Sequence, residues 1–439
     1  MWRNLNFTRE INTCSCGRIH RCPIDRVVIG KSAVAALKEL DCSYRSIAVV
    51  GDDNTYGLYG ELVCRHLRVH GRVIKPIVLA NRQSQIIIPN EHSIGYLETQ
   101  LPEDCDLIVA VGSGVINDLC KYVSYCRKIP YLIVATAPSM DGYASAGAAL
   151  ILKGMKVTLQ THVPLWIVGD TEILRESPSH MIRAGVGDIL GKISALNDWK
   201  LSALLNGEFY CPQIYQMVER RVEILLRDLD AIVERFPQAI ADLMESLVLV
   251  GIAMAYVGNS RPASGSEHHL SHFFEITGLL NNTPYLAHGL DVGYATVLTT
   301  YMRRRLAAMT PADFRARPGE MEQRRELARV YSGLTDEVIN LRDKTGYCRL
   351  NRAEFIRDNW QNVRKILLAT PDEQYVIDAL QRSGFAIEEF RDLYSESLIR
   401  DAIIYAKDLK ERYTVLWLAD ETGLLHEIAN DVTLWIPTL

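Results

Sequence analysis

The feature that most constrains this chain is the way short apolar runs alternate with helical stretches through its first half. Val27 to Ile29 is an apolar run ending at Gly30, and Ser46 to Val50 reads as a buried strand followed by the turn Gly51-Asp52-Asp53. Tyr56 to His70 carries Leu58, Leu62, Leu67 and Val69 near helical spacing. Val73 to Leu79, Leu107 to Val111 and Tyr131 to Ala135 are further strands. Continuous apolar strands separated by helices predict a parallel sheet covered on both faces. Ser145 to Leu165 differs, because its alternation and Gly154 suggest an antiparallel ribbon. From about Pro178 onward the pattern is nearly all helical. Glu219 to Arg235 reads as a solvated amphipathic helix, and Arg303 to Arg329, where basic and acidic residues mix, as a surface helix pair.

The length of 439 residues exceeds one ordinary core and predicts two domains. We place the boundary at the change of secondary-structure type, giving an α/β domain over 1–175 and a helical domain over 176–439. A net charge of -5 with no basic block argues against nucleic-acid and membrane-surface binding. The N-terminal MWRNLNFTRE lacks an apolar segment of the signal type, and no apolar run approaches the roughly 20 residues needed to span a bilayer. The scattered cysteines, such as Cys64, Cys105 and Cys120, fit reduced thiols in a cytoplasmic protein. Cys14, Cys16, His20 and Cys22 lie close together, but their spacing matches neither paired C-x-x-C knuckles nor a C2H2 finger. We read them as a tight turn or hairpin rather than a zinc site.

Two groups of residues carry chemistry. In VAVGSGVINDLCKY a strand meets a glycine turn and then a helix, where backbone N–H groups and the helix N-terminus favour a pyrophosphate. The full G-x-G-x-x-G fingerprint is absent, since Asn117 replaces the third glycine. Asp52 follows one strand, where its carboxylate is placed for a ribose. Thr136-Ala137-Pro138-Ser139 follows another, so all three segments belong to the carboxyl edge of the sheet, where open α/β sheets bind ligands.

The second group is histidine-rich. Four of the 11 histidines fall between Glu267 and His288: His268, His269, His272 and His288. His268 and His272 are four residues apart and share a helix face. Asp188 follows two glycines upstream, and Asp291 lies just after His288. Two histidines and a carboxylate with an open position suit a Lewis-acid divalent metal.

Five motifs in order, GSGVINDLCKY, TAPSMDGYAS, AGVGDILGK, SGSEHHLSH and HGLDVGYA, span most of the chain. Together they resemble the glycerol-1-phosphate dehydrogenase family, bacterial type, within the dehydroquinate synthase and iron-type alcohol dehydrogenase superfamily. The resemblance implies an N-terminal Rossmann-like nucleotide-binding domain and a C-terminal helical domain that binds metal and substrate. It implies a zinc or nickel ion on Asp188, His268 and His288. NAD or NADP would lie on Asp52, Gly114, Val115, Ile116, Asn117, Asp118, Thr136, Ala137, Pro138, Ser139 and Ser145. Substrate would meet Asp141, Asp188 and His272, and a homodimer is implied. Met140 stands where many relatives have histidine.

The expected reaction is reduction of dihydroxyacetone phosphate to sn-glycerol 1-phosphate, with Asp188 and His272 as catalytic residues and His272 as proton donor or relay. Lys192 and Arg261 are candidate cations for the substrate phosphate. The competing readings are a glycerol dehydrogenase, a dehydroquinate synthase-like cyclase of a sugar phosphate, and a binding module without catalysis.

Overall fold

The computed structural model describes residues 2–80, 87–153 and 155–438. The chain divides into two compact units, one comprising Met1–Gly185 with Arg227–Gly258 and the other Val186–Leu226 with Asn259–Leu439. The first unit thus takes in a later helical segment that a single boundary near residue 175 does not describe.

Among the described residues of the first unit, the strands are β1 (Trp2–Asn4), β2 (Glu10–Ile11), β3 (His20–Arg21), β4 (Arg26–Gly30), β5 (Ser46–Asp52), β6 (Val73–Leu79), β7 (Leu107–Gly112), β8 (Tyr131–Ala135), β9 (Gly147–Leu152), β10 (Met155–Gln160) and β11 (Trp166–Asp170). Seven make one sheet in the order β1-β4-β11-β8-β7-β5-β6. All its pairings are parallel except that of the short edge strand β1 with β4. The apolar runs are buried from both sides: Val28, Val49, Val109, Val111, Val134 and Val168 are all fully buried. That double burial is why these strands read as continuous rather than alternating.

The antiparallel ribbon expected over Ser145 to Leu165 is the hairpin β9–β10. Gly154 lies outside the described residues. Neighbouring Ser145 Oγ donates to the carbonyls of Gly142 and Gly147 at 3.1 and 3.2 Å.

One sequence expectation needs correction here. The helix Pro237–Val257 is 21 residues long, with a mean hydropathy of 1.8 over its best window, so it is long and apolar enough to cross a membrane. Asp242 and Glu245 interrupt the run in the sequence and hide it. In the fold 78% of that window is buried, and Met244 packs beside Gly169 of β11, so the helix serves as a core element.

The second unit is helical. Its elements include Lys192–Asn206, Ser266–Asn281 and His288–Ala308. Arg303, read from sequence as part of a surface pair, is instead fully buried. It pairs with Asp198 at 2.8 Å and donates to Asn197 and to the carbonyls of Ser194 and Thr299. A mixed-charge segment conceals one arginine whose donors are satisfied internally.

Candidate active site

The sheet order fixes where a ligand of the first unit belongs. From β5 the chain goes to β6 on one side and then to β7, β8 and β11 on the other, so the order reverses between β5 and β7. Ligands of open α/β sheets bind outside the carboxyl ends of the strands at such a switch point. Asp52 ends β5, Gly112 ends β7, and Thr136 follows β8. The loops are tied together, since Thr55 Oγ1 donates to Val111 O at 2.8 Å and Thr136 N to Gly112 O at 3.0 Å. Asp52 Oδ1 caps the turn that follows β5, accepting from Thr55 N at 2.7 Å.

The helix Gly114–Arg127 begins at the glycine turn, with Val115 and Ile116 in its first turn. Gly112 is needed where it stands, because a Cβ there would meet the Ile116 side chain at 2.6 Å. The side chains of Asn117 and Asp118 point into protein. Asn117 accepts from Tyr131 OH at 3.4 Å and donates to Asp118 Oδ1 at 3.0 Å, and Asp118 Oδ2 accepts from Ala149 N. Lys121, which sequence reasoning passed over, is fully buried. It donates to Asp118 Oδ1 at 3.4 Å and to the carbonyls of Gly142 and Gly147 at 3.0 and 2.9 Å. Burial raises the Asp118 carboxyl and lowers the Lys121 ammonium, and each charge opposes the shift of the other.

The segment from Thr136 to Ser139 is held from two sides. Tyr143 OH donates to Ala137 O at 2.7 Å, and Pro138 O lies against Gly185, where a Cβ would stand 1.8 Å from it. Asp141 is buried, and its carbonyl lies against Gly251.

In the second unit, ligand atoms of Asp188, His268 and His288 lie within 4.8 Å of one another. His268 Nε2 is 3.6 Å from Asp188 Oδ1. The local backbone explains the meeting. Gly187 precedes Asp188 and Gly289 follows His288, and a Cβ on Gly187 would lie 2.1 Å from Gly289 O. Only glycine at 187 permits that approach. His268 and His272, four apart on Ser266–Asn281, have ring centroids 6.4 Å apart, and His272 lies 5.5 Å from the His288 ring.

His268 and His288 are each oriented by a neighbour. His268 Nδ1 donates to Glu267 Oε1 at 2.7 Å, which leaves Nε2 with its lone pair toward Asp188. Ser271 Oγ donates to His288 O at 3.3 Å and stands 3.2 Å from His288 Nδ1, so it accepts from that nitrogen and frees Nε2. Burial works against the charge of Asp188, but the Lys192 ammonium, hydrogen-bonded to it, leads the opposing effects and the carboxyl is held at about 2. Two lone-pair imidazole nitrogens and an ionised carboxylate that lie within 4.8 Å of one another form a donor set that fits a borderline divalent cation.

Glu267, Ser271 and the role of Lys192 escaped sequence reasoning. A carboxylate directly before His268 was the available signal for the first. Lys192, expected at a phosphate, donates to Asp188 Oδ1 at 2.7 Å and to Ala263 O at 3.0 Å, fully buried. Arg261 is likewise committed to Glu208 and to Tyr413 O. Neither is placed as an exposed cation for a phosphate. Asp291 turns to the Tyr394 hydroxyl, 2.9 Å away, and His269 is buried among Arg412, Lys410 and Arg261, with burial foremost in keeping it neutral.

The family described as iron-containing alcohol dehydrogenase matches residues 28–178. Solved structures of this fold include an iron-containing alcohol dehydrogenase from Thermococcus thioreducens, with a TM-score of 0.64 at 14% identity over 94% of this chain and 99% of that one. A glycerol dehydrogenase from Schizosaccharomyces pombe gives 0.61 at 14% identity, covering 92% and 90%. These likenesses show the fold, in keeping with the α/β and helical parts expected from the sequence.

More specifically, the chain belongs to the glycerol-1-phosphate dehydrogenase [NAD(P)+] family. It is 32% identical to the member from Bacillus licheniformis over 424 residues, 95% of this chain and 94% of that one. The Halalkalibacterium halodurans member is 30% identical over 94% and 96%.

Proposed function

We propose that this chain reduces dihydroxyacetone phosphate to sn-glycerol 1-phosphate at the expense of NAD(P)H and a proton, with zinc or nickel as its cation. The observation that carries the reading is the cluster of buried Asp188 and His268 with half-buried His288, whose two histidines each have the outward nitrogen tied back by Glu267 or Ser271. The names of the family members supply the substrate class.

Asp188, His268 and His288 hold the cation, which when bound supplies Lewis-acid polarisation of a carbonyl oxygen. The carboxyl ends of β5, β7 and β8 hold the nucleotide, a hydride source, through Asp52, the backbone from Gly114 to Asp118, Thr136 to Ser139, and Ser145. Asp188 stays ionised at neutral pH because the Lys192 ammonium stabilises its charge. His272 delivers the proton that the C2 oxygen needs once hydride has reached C2, and Asp141 orients the substrate hydroxyls. The nucleotide work falls to 1–175 and the metal and substrate work largely to 176–439. We place the enzyme in the cytoplasm as a homodimer.

The test is to strip the enzyme with a chelator and follow nicotinamide absorbance with dihydroxyacetone phosphate, restoring zinc or nickel in turn. Restored oxidation with strong preference for the phosphate ester over dihydroxyacetone supports the reading, and chiral analysis of the product checks sn-1. Turnover of only the unphosphorylated substrates overturns it in favour of a polyol dehydrogenase.

A further inference from the structure

Beyond the catalytic cluster, the first unit contains another group of soft donors. Cys14 and Cys16 lie in the connection between β2 and β3, and His20 opens β3, where it pairs with Ile11. Their sulfur and nitrogen atoms lie within 4.8 Å of one another. The turn that brings them together is a tight one: Gly17 N donates to Cys14 O at 3.0 Å, and Gly17 has φ +78, a conformation that favours glycine.

The orientation of His20 is fixed from outside the hairpin. The helix Pro237–Val257 ends at Gly258, and its last carbonyls have no partner within the helix. One of these, Tyr256 O, accepts a hydrogen bond from His20 Nδ1 at 2.9 Å. The proton on Nδ1 leaves Nε2 with a lone pair, and that atom is 3.2 Å from Cys16 Sγ. Bonds of about 2.3 Å to sulfur and 2.05 Å to nitrogen at a tetrahedral angle put those atoms about 3.6 Å apart. The observed spacing is close to that. His20 is 1% exposed, whereas a histidine serving only as a surface group has no need of such burial.

Charge points the same way. Thiolates are anionic, which a divalent cation offsets, and the carboxyl end of a helix favours a nearby cation. Cys22, the remaining cysteine of the segment, is not part of the group. It is buried, with its thiol pushed up to about 11 by desolvation, as befits a core residue.

We propose that Cys14, Cys16 and His20 are ligands of a second metal site, a thiolate–imidazole site for zinc that fastens the N-terminal hairpin to the end of Pro237–Val257. A hairpin of two two-residue strands has little apolar area to hold itself in place, and a cation at its turn supplies the missing cross-link.

The test is cobalt reconstitution of the full chain. It is expected to take up about two cobalt equivalents, one at each site, and to show a thiolate-to-cobalt charge-transfer band in the near ultraviolet. Cys14→Ser and Cys16→Ser are each expected to lose the band and about one equivalent. His288→Ala is expected to lose the other equivalent and keep the band, which separates this site from the catalytic one. Should the serine variants fail to fold, alkylation of the wild-type protein decides. Protection of Cys14 and Cys16 by zinc, lost on chelation, agrees with the site. A cobalt protein without a thiolate band, or equal alkylation with and without zinc, overturns it.

Discussion

Replacing Gly187 with alanine tests whether the metal cluster is set by backbone contact. The added Cβ would stand 2.1 Å from Gly289 O, 3.1 Å from Gly289 C and 3.0 Å from Phe385 Cζ. An ordinary carbon–oxygen approach is about 3.3–3.6 Å, so the two segments must separate by about 1.2–1.5 Å. The nearest obstacle is backbone and cannot swing aside. Metal–ligand distances tolerate only about 0.2 Å, so Asp188 and His288 can no longer bind one ion well. We expect cation affinity to fall at least about 10–100-fold, the range seen when ligand orientation is disturbed. Without metal, overpacking costs about 1–3 kcal/mol, offset by up to about 1 kcal/mol from the better helix propensity of alanine. The assay is competition against a chromophoric chelator, with urea unfolding of the metal-free protein alongside. Gly95→Ala is the control, since a Cβ there meets nothing within 4 Å. Wild-type metal affinity and urea midpoint in Gly187→Ala would refute the reasoning.

Three further outcomes are expected. Glu267→Gln keeps all three metal ligands but loses the carboxylate that orients His268, so zinc affinity should fall about 10–100-fold, read by chelator competition; unchanged affinity would remove Glu267 from the site. Lys121→Met leaves Asp118 buried without its cation and should cost about 3–5 kcal/mol in urea unfolding, with much of that recovered on adding Asp118→Asn; additive losses would mean that the two do not act as a pair. His162, stacked on Tyr131 and hydrogen-bonded to Ser124 Oγ, has its imidazole held below the ordinary value, first by burial and then by Lys121. Its folded pKa lies below its unfolded one, so it contributes stability above the unfolded value of about 6.5 that is lost as pH falls through the folded one. His162→Gln should therefore lose less of its urea midpoint than wild type between neutral and mildly acidic pH, and an equal loss would count against this assignment.

Much of the first unit was legible because strands buried on both faces must be apolar throughout, and the chain has no other reason for such runs as Leu107 to Val111 and Tyr131 to Ala135. The edge strand β1 was not legible. It is three residues long, exposed on Arg3 and Asn4, and held by pairing with β4 rather than by a pattern of its own. The core helix Pro237–Val257 was obscured for another reason. Two acids on its solvated side break the apolar run, and only their pairing with Arg3 shows that they face outward.

At the candidate site the sequence named Asp188, His268 and His288, which the fold brings within 4.8 Å of one another, but not the residues that support them. Asp188, His268 and His288 are recognisable because a cation needs specific donor types, so their identity survives any change of surroundings. Ser271 and Lys192 do their work through a few hydrogen bonds, and the sequence offers no sign of which hydroxyl or amine will face inward. Lys192 illustrates the cost of guessing. A lysine one helical turn from a metal-binding aspartate resembles a phosphate anchor, yet its ammonium is wholly enclosed and serves as the counter-ion of that aspartate. An enclosed ammonium is stable there only because Asp188 remains ionised, and Asp188 remains ionised partly because Lys192 is there. The pair therefore keeps the carboxylate charged whether or not a cation is bound, which pre-organises the site for metal capture and spares it the collapse that an empty, unbalanced cluster would suffer.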